Sequence, residues 1–273
     1  MDESVEGLGI IAGNGSLPLI LARQARAMGI KRLVAIAFEG ETDPGLAKLV
    51  DEIVWIKVGQ LTKMIKAFTT NRVKRCVMAG QIAPKNLFDL RPDLRAMRML
   101  LRLPVKNAET IFSAIADELE KDGVSIVAAL PWLKPLMPGD GFCLGPKLSD
   151  AQREDVKFGY RLAKEIARLD IGQTVVVKNG TVLAVEAFEG TDACLMRGGS
   201  LAGKEGRAVA VKVAKEKHDL RFDLPCIGPK TLESCATAKI AVLAVEAEKT
   251  LLLERELVED LVRRNSITLT AVR

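Results

Sequence analysis

Apolar residues in the first half of the chain gather in short, mostly apolar runs, separated by stretches in which they recur every three or four positions. The runs at 8–12, 33–37, 52–58, 75–79 and 124–129 are long enough only for strands. The stretches near 17–28, 61–70 and 109–121 have helical spacing. Gly29 and Gly123 stand where two of these helices should stop, and Pro18 stands where one should start. Fully apolar strands alternating with amphipathic helices predict a parallel sheet covered on both faces. The second half has a different rhythm. Ser149-Asp-Ala-Gln152 reads as a capping box opening a helix to about 169. Two β-branched runs, 174–178 and 181–185, flank Asn179-Gly180 and predict a hairpin. Further strands are predicted at 207–213, 240–246 and 267–272, with a helix near 255–264. The fold class is therefore α/β: a Rossmann-like parallel-sheet domain over 1–138, binding nucleotide or phosphate, plus a mixed α/β domain over 139–273. Four prolines and several glycines between 130 and 149 predict an irregular linker there.

Composition narrows the chemistry. The 273 residues include 8 Phe, 2 Trp and 1 Tyr, so the core is aliphatic and an aromatic base-stacking surface for nucleic acid is excluded. A single histidine excludes the HExxH metalloproteases and multi-histidine metal centres. The five cysteines are widely spaced without a CxxC pair and read as reduced small hydrophobes. The start of the chain is acidic where a secretory signal would be basic, which predicts a cytoplasmic protein. The net charge of +5 is mild and favours anionic small molecules or lipid surfaces. Residues 91–102 form a basic amphipathic helix with Leu94, Met97 and Leu101 on one face. That face is read as core-facing, with an apolar and basic lipid-contacting surface as the alternative.

Three segments could carry a reaction. Gly13-Asn14-Gly15 turns from a strand into a helix N-terminus, where backbone donors and the helix dipole suit phosphate. Pro18 replaces the third glycine of the dinucleotide fingerprint, which speaks against NAD, and Glu39 could be the acid that fingerprint expects about 20 positions on. A tight turn alone and a true dinucleotide site are the alternatives. Glu186, Glu189 and Asp192 crowd a strand end beside Gly190 and Thr191, as in an oxygen-ligand cation site or a solvated acidic loop. Asp219, Arg221 and Asp223 alternate, so in an extended segment they would share one edge, suiting phosphate and Mg²⁺ together or forming a surface ion pair. From these residues alone, a nucleotide-sugar-binding or oxidoreductase protein is as good a reading as a hydrolase.

Leu8-Gly-Ile-Ile-Ala-Gly-Asn-Gly-Ser-Leu-Pro18, the strand-ending Gly80, Gly172-Gln-Thr-Val-Val-Val177, Leu183-Ala-Val-Glu-Ala-Phe-Glu-Gly-Thr-Asp-Ala193 and Asp219-Leu-Arg-Phe-Asp-Leu-Pro-Cys-Ile-Gly228 resemble signature segments of the LpxI family, in order along the chain. The resemblance implies a Mg²⁺-dependent pyrophosphatase of lipid A biosynthesis that cleaves UDP-2,3-diacylglucosamine to UMP and lipid X. It implies a catalytic carboxy-terminal domain and an active site between the domains. Such enzymes are similar in being cytoplasmic, homodimeric and peripheral to the inner membrane. Carried onto this sequence, the resemblance implies Asp223 and Asp192 as metal ligands and catalytic groups, supported by Glu186, Asp219 and Arg221. Gly13, Asn14, Gly15, Gly80, Gln81 and Thr191 would contact substrate and phosphate. Where many members have Gln before the aspartate at 219, this chain has His218. Where many have paired aspartates, it has Asn107-Ala-Glu109.

Overall fold

The computed structural model describes residues 7–82, 92–105, 107–215, 219–222 and 224–273. They form two compact units: the first runs to Leu133 and includes Asp219–Phe222, and the second holds the remainder from Lys134.

In the first unit the order is β1 (Leu8–Ala12), α1 (Leu17–Ala27), β2 (Leu33–Phe38), β3 (Glu52–Ile56), α2 (Leu61–Thr70), β4 (Arg75–Ala79), α3 (Leu94–Leu101), α4 (Ala108–Glu120), β5 (Ser125–Ile126) and α5 (Leu130–Leu133). The sheet order is β3-β2-β1-β4-β5 with every pair parallel, the expected Rossmann-like half. Alternate strand residues Val34, Ile36 and Phe38 meet Met64, Phe68, Ala96, Met99 and Leu119 of α2, α3 and α4 on one face. The buried residues of α1 stand outside that cluster, and α1 packs with α5 instead. Asn107 caps α4 through a capping box with Thr110, which gives the asparagine at this position a structural role.

The structure departs from the sequence pattern at three places. β5 is two residues long, because the chain turns into α5 at Leu130-Pro131, where proline suits a first turn but not a ladder. The predicted irregular linker contains α5, a 3₁₀ turn at Lys134–Leu136 and a short strand. The face of α3 read as core-facing looks outward: Leu94, Met97 and Leu101 are 69%, 44% and 78% exposed, whereas Ala96 and Met99 are buried. Arg95 explains the rotation. It reaches back to Glu118 and Asp122 on the α4 side, each at 2.6 Å, and so turns the small Ala96 inward.

The second unit contains β6 (Cys143–Leu144), α6 (Asp150–Arg168), β7 (Thr174–Lys178), β8 (Thr181–Val185), α7 (Thr191–Leu201), β9 (Ala208–Lys212), β10 (Cys226–Ile227), α8 (Pro229–Thr237), β11 (Ile240–Glu246), β12 (Leu251–Leu252), α9 (Arg255–Asn265) and β13 (Thr268–Val272). Its six-stranded sheet runs β6-β13-β11-β9-β7-β8. β9, β11 and β13 are parallel, and β6, β7 and β8 run antiparallel to their neighbours. Val175, Val177, Val209 and Val211 pack on α6, while Val176, Ala210 and Leu243 pack with residues of α7, α8 and α9 on the opposite face. The β7–β8 hairpin turns at Asn179 and Gly180 with φ of 49° and 71°, as Asn-Gly predicts. Buried Asp155 of α6 accepts from both turn N–H groups, at 2.8 and 2.7 Å. Among the described residues no helix is long and apolar enough to cross a membrane.

Candidate functional site

In the first unit, β1 lies between β2 and β4, so the connections leave it in opposite directions and a crevice opens at the carboxyl ends of β1 and β4. Ligands bind at such switch points in open α/β sheets. Gly13-Asn14-Gly15 and Gly80-Gln81 meet there. The Gly13 N–H donates to the Ala79 carbonyl and the Asn14 N–H to the Gln81 carbonyl, both at 2.8 Å. The two loops touch backbone to backbone: a Cβ on Gly13 would meet the Gly80 carbonyl carbon at 2.7 Å. Gly15 and Gly80 have φ of 79° and 83°, which glycine alone adopts cheaply. Because the Gly13 and Asn14 donors are committed, what the turn offers a phosphate starts at Gly15 and the first turn of α1. Glu39 lies exposed past β2; the carboxylate joined to the turn is Glu41, which accepts from Asn14 Nδ2 at 3.3 Å.

The segment at 219–222 is a turn, which overturns the extended geometry expected of it. The Asp219 carboxylate folds back on its own chain, accepting from the Arg221 N–H at 3.0 Å and from the guanidinium at 2.9 and 2.6 Å. That guanidinium holds the Asp219 carboxyl below the usual carboxylate range. Phe222 anchors the turn on Phe112 of α4, with ring centroids 5.9 Å apart. Asp219 and Arg221 are therefore brought together as one ion pair. Asp223 and His218 lie outside the described residues.

In the second unit the three acids after β8 part company. Glu189 pairs with Arg197 at 2.5 Å, and Asp192, in the first turn of α7, pairs with Lys230 at 3.0 Å. Glu186 is 6% exposed; one carboxylate oxygen accepts from the Thr191 hydroxyl at 3.1 Å, and the other, Oε2, is buried with no hydrogen-bond partner among the described residues. Thr191 Oγ1 is also 3.4 Å from Thr174 Oγ1. Gly172 holds this geometry, since a Cβ there would meet the Glu186 carbonyl carbon at 2.6 Å. Among the described residues no three His, Cys, Asp or Glu gather as a metal site. A divalent ion bound through substrate phosphates needs only one or two carboxylates, and the orphaned buried oxygen of Glu186, whose other oxygen meets Thr191, is the hard-donor chemistry that such an ion takes. The residues therefore fit the ion. Burial pushes the Cys76, Cys194 and Cys235 thiols up to about 12, which makes these three poor nucleophiles.

Sequence reading passed over Lys212. It ends the apolar run of β9 and is 7% exposed, directly opposite Thr174 in the sheet register. A lysine closing Ala208-Val-Ala-Val was the available signal, because a buried cation needs a partner.

The models described as LpxI N-terminal domain and LpxI C-terminal domain match residues 7–136 and 139–270. A UDP-2,3-diacylglucosamine pyrophosphatase LpxI of Caulobacter vibrioides is 36% identical over 262 residues, 92% of this chain and 92% of that one. Among solved structures, a biotin carboxylase of Campylobacter jejuni in complex with a β,γ-ATP ligand aligns over 73% of this chain and 42% of its own, at 14% identity and a TM-score of 0.31. The biotin carboxylase subunit of a pyruvate carboxylase aligns over 67% of this chain and 35% of its own, at 18% identity and a TM-score of 0.28. This chain thus spans less than half the length of either structure, and neither likeness bears on its chemistry. With both halves matched in order, the chain belongs to the LpxI family.

Proposed function

We propose that this protein hydrolyses the diphosphate bond of UDP-2,3-diacylglucosamine to UMP and 2,3-diacylglucosamine 1-phosphate (lipid X), with Mg²⁺ as cofactor. The observation that carries this reading is 36% identity over 92% of both chains to a protein of that name. Water attacks one phosphorus, the bridging oxygen leaves on the other phosphate, and no further reactant is consumed. Bound Mg²⁺ would neutralise the diphosphate as charge builds on it. Asp192 and Asp223 are the ligands we assign to it. Glu186, fixed by Thr191 and Gly172, holds a carboxylate oxygen ready to orient a ligand or water at the start of α7. Asp219 keeps Arg221 in a fixed pose from which its remaining donors meet phosphate oxygens. Gly13, Asn14, Gly15, Gly80 and Gln81 shape the nucleotide contact, and Thr191 positions Glu186.

The diacyl substrate resides in a membrane, and α3 suits contact with one: Leu94, Met97 and Leu101 project outward with exposed Arg98 and Arg102 alongside. We assign peripheral membrane contact to this helix and a homodimer as the working form. The test of the catalytic assignment is Asp223→Asn. Turnover should fall at least about 10²-fold, the scale of losing one catalytic group, with substrate binding retained. Near-normal turnover in a folded variant would remove Asp223 from the site.

A further inference from the structure

Among the described residues Lys212 has no acidic partner. Its ammonium donates to the Cys226 carbonyl at 3.2 Å, and among the described residues no carboxylate pairs with it. A cation taken out of water with one carbonyl for company is costly unless another anion joins it.

Its surroundings indicate which anion. Lys212 sits beside Thr174 in the β9–β7 register, and Thr174 receives the Glu186 N–H on its carbonyl at 2.8 Å. Paired residues point to one face. Val175 and Val211 pack on α6, so Thr174 and Lys212 point to the opposite face, that of α7 and α8. Both helices begin beside this row. α7 starts at Thr191, whose hydroxyl bonds Glu186 and approaches Thr174. α8 starts at Pro229, just after the Cys226 carbonyl that Lys212 holds. Their first turns are joined by the Asp192–Lys230 pair at 3.0 Å. Neither N-cap, Gly190 nor Gly228, supplies a side-chain hydrogen bond to its helix. The open N–H groups at the start of α7, the Lys230 N–H of α8 (Pro229 has none, and those of Thr231 and Leu232 bond Gly228), two hydroxyls and a buried ammonium gather as donors on one floor. The orphaned Glu186 Oε2 at its rim calls for a proton donor or a cation.

We infer that Lys212 is the anchor of a phosphate-binding site in the second unit, taking phosphoryl oxygens of a diphosphate. That the diphosphate belongs to a lipid-linked nucleotide rests on the pyrophosphatase reading above; the existence of the anion site rests on the geometry alone.

The test is calorimetric binding of inorganic pyrophosphate to the full chain, wild type against Lys212→Met, which keeps the length of the side chain and removes the charge. Wild type should bind, and the variant should bind at least about 10-fold more weakly, the scale of losing one charge-assisted contact. Its melting temperature without pyrophosphate should be unchanged or higher, because a buried charge has gone. If Lys212→Met does not fold, Lys212→Gln, which still hydrogen-bonds Cys226, takes its place. With UDP-2,3-diacylglucosamine, KM should rise with the same charge loss. Equal pyrophosphate affinity in wild type and variant, or no binding by wild type at millimolar concentration, overturns the site. Lys212-dependent pyrophosphate binding in a protein that never cleaves the lipid nucleotide would leave the site standing and remove the pyrophosphatase reading instead.

Discussion

Glu186 illustrates how placement, more than residue type, makes a functional side chain. Its backbone runs against Gly172 with no room for a Cβ, and its carboxylate is steered by Thr191. Gly172→Ala should push Glu186 aside and lower turnover by about 10–10²-fold, since misplacement on the ångström scale costs that much. The melting temperature should fall by only a few degrees; steady-state kinetics beside a thermal melt separates the two. Glu246, on the α6 face, predicts a pH dependence. Burial pushes its carboxyl up, but the Lys249 ammonium, the Ala214 N–H and the charge of Lys164 more than offset this, leaving it below its ordinary 4.5. A depressed folded value means that the stabilisation is complete above the unfolded value and is lost as pH falls through the folded one. Glu246→Gln should therefore be less stable than wild type at neutral pH, with the gap narrowing below about pH 4.5 in urea titrations. The alternation through Val182-Leu-Ala-Val185 already marks Glu186 as the acid on buried ground, but says nothing of where its two neighbours go. That was decided by Arg197 and Lys230, which took Glu189 and Asp192.

Elements were legible where a local rule sufficed. Asn179-Gly180 requires two positive φ values and marks its hairpin unaided, and Asp155 then locks the turn to α6. Asp155→Ala should cost about 1–3 kcal/mol by removing two carboxylate hydrogen bonds that hold the turn to α6, readable as a lower urea midpoint. Elements set by distant partners were less legible. α8 has only nine residues and a weak apolar stripe, β10 and β12 have two residues each, and none of the three declares itself in sequence. α3 was legible as a helix but misread as to face, because Glu118 and Asp122 lie beyond its own periodicity. Its outward stripe predicts binding to anionic vesicles. Leu94→Glu with Leu101→Glu should lower co-sedimentation with phosphatidylglycerol vesicles several-fold while leaving the fold intact, and unchanged binding would free α3 of that role.

At the scale of the whole molecule, each unit brings one kind of chemistry. The first offers a glycine-lined crevice at a Rossmann-type switch point, and the second a polar row of Lys212, Thr174, Glu186 and Thr191 at the start of two helices. The alternation of apolar runs made the first sheet readable, since parallel strands buried on both faces leave no polar interruptions. The assignment of Asp219–Phe222 to the first unit was not readable, because it depends on Phe222 finding Phe112 across more than a hundred residues of chain. The central claim is that this chain cleaves a lipid-linked diphosphate with the help of a divalent ion. The most direct measurement is phosphorus NMR of purified protein with UDP-2,3-diacylglucosamine in detergent, with Mg²⁺ and then with EDTA. The two diphosphate resonances should give way to two phosphomonoester resonances, those of UMP and lipid X in equal amounts, only when Mg²⁺ is present. Persistent diphosphate signals with Mg²⁺, or undiminished cleavage in EDTA, would contradict that claim.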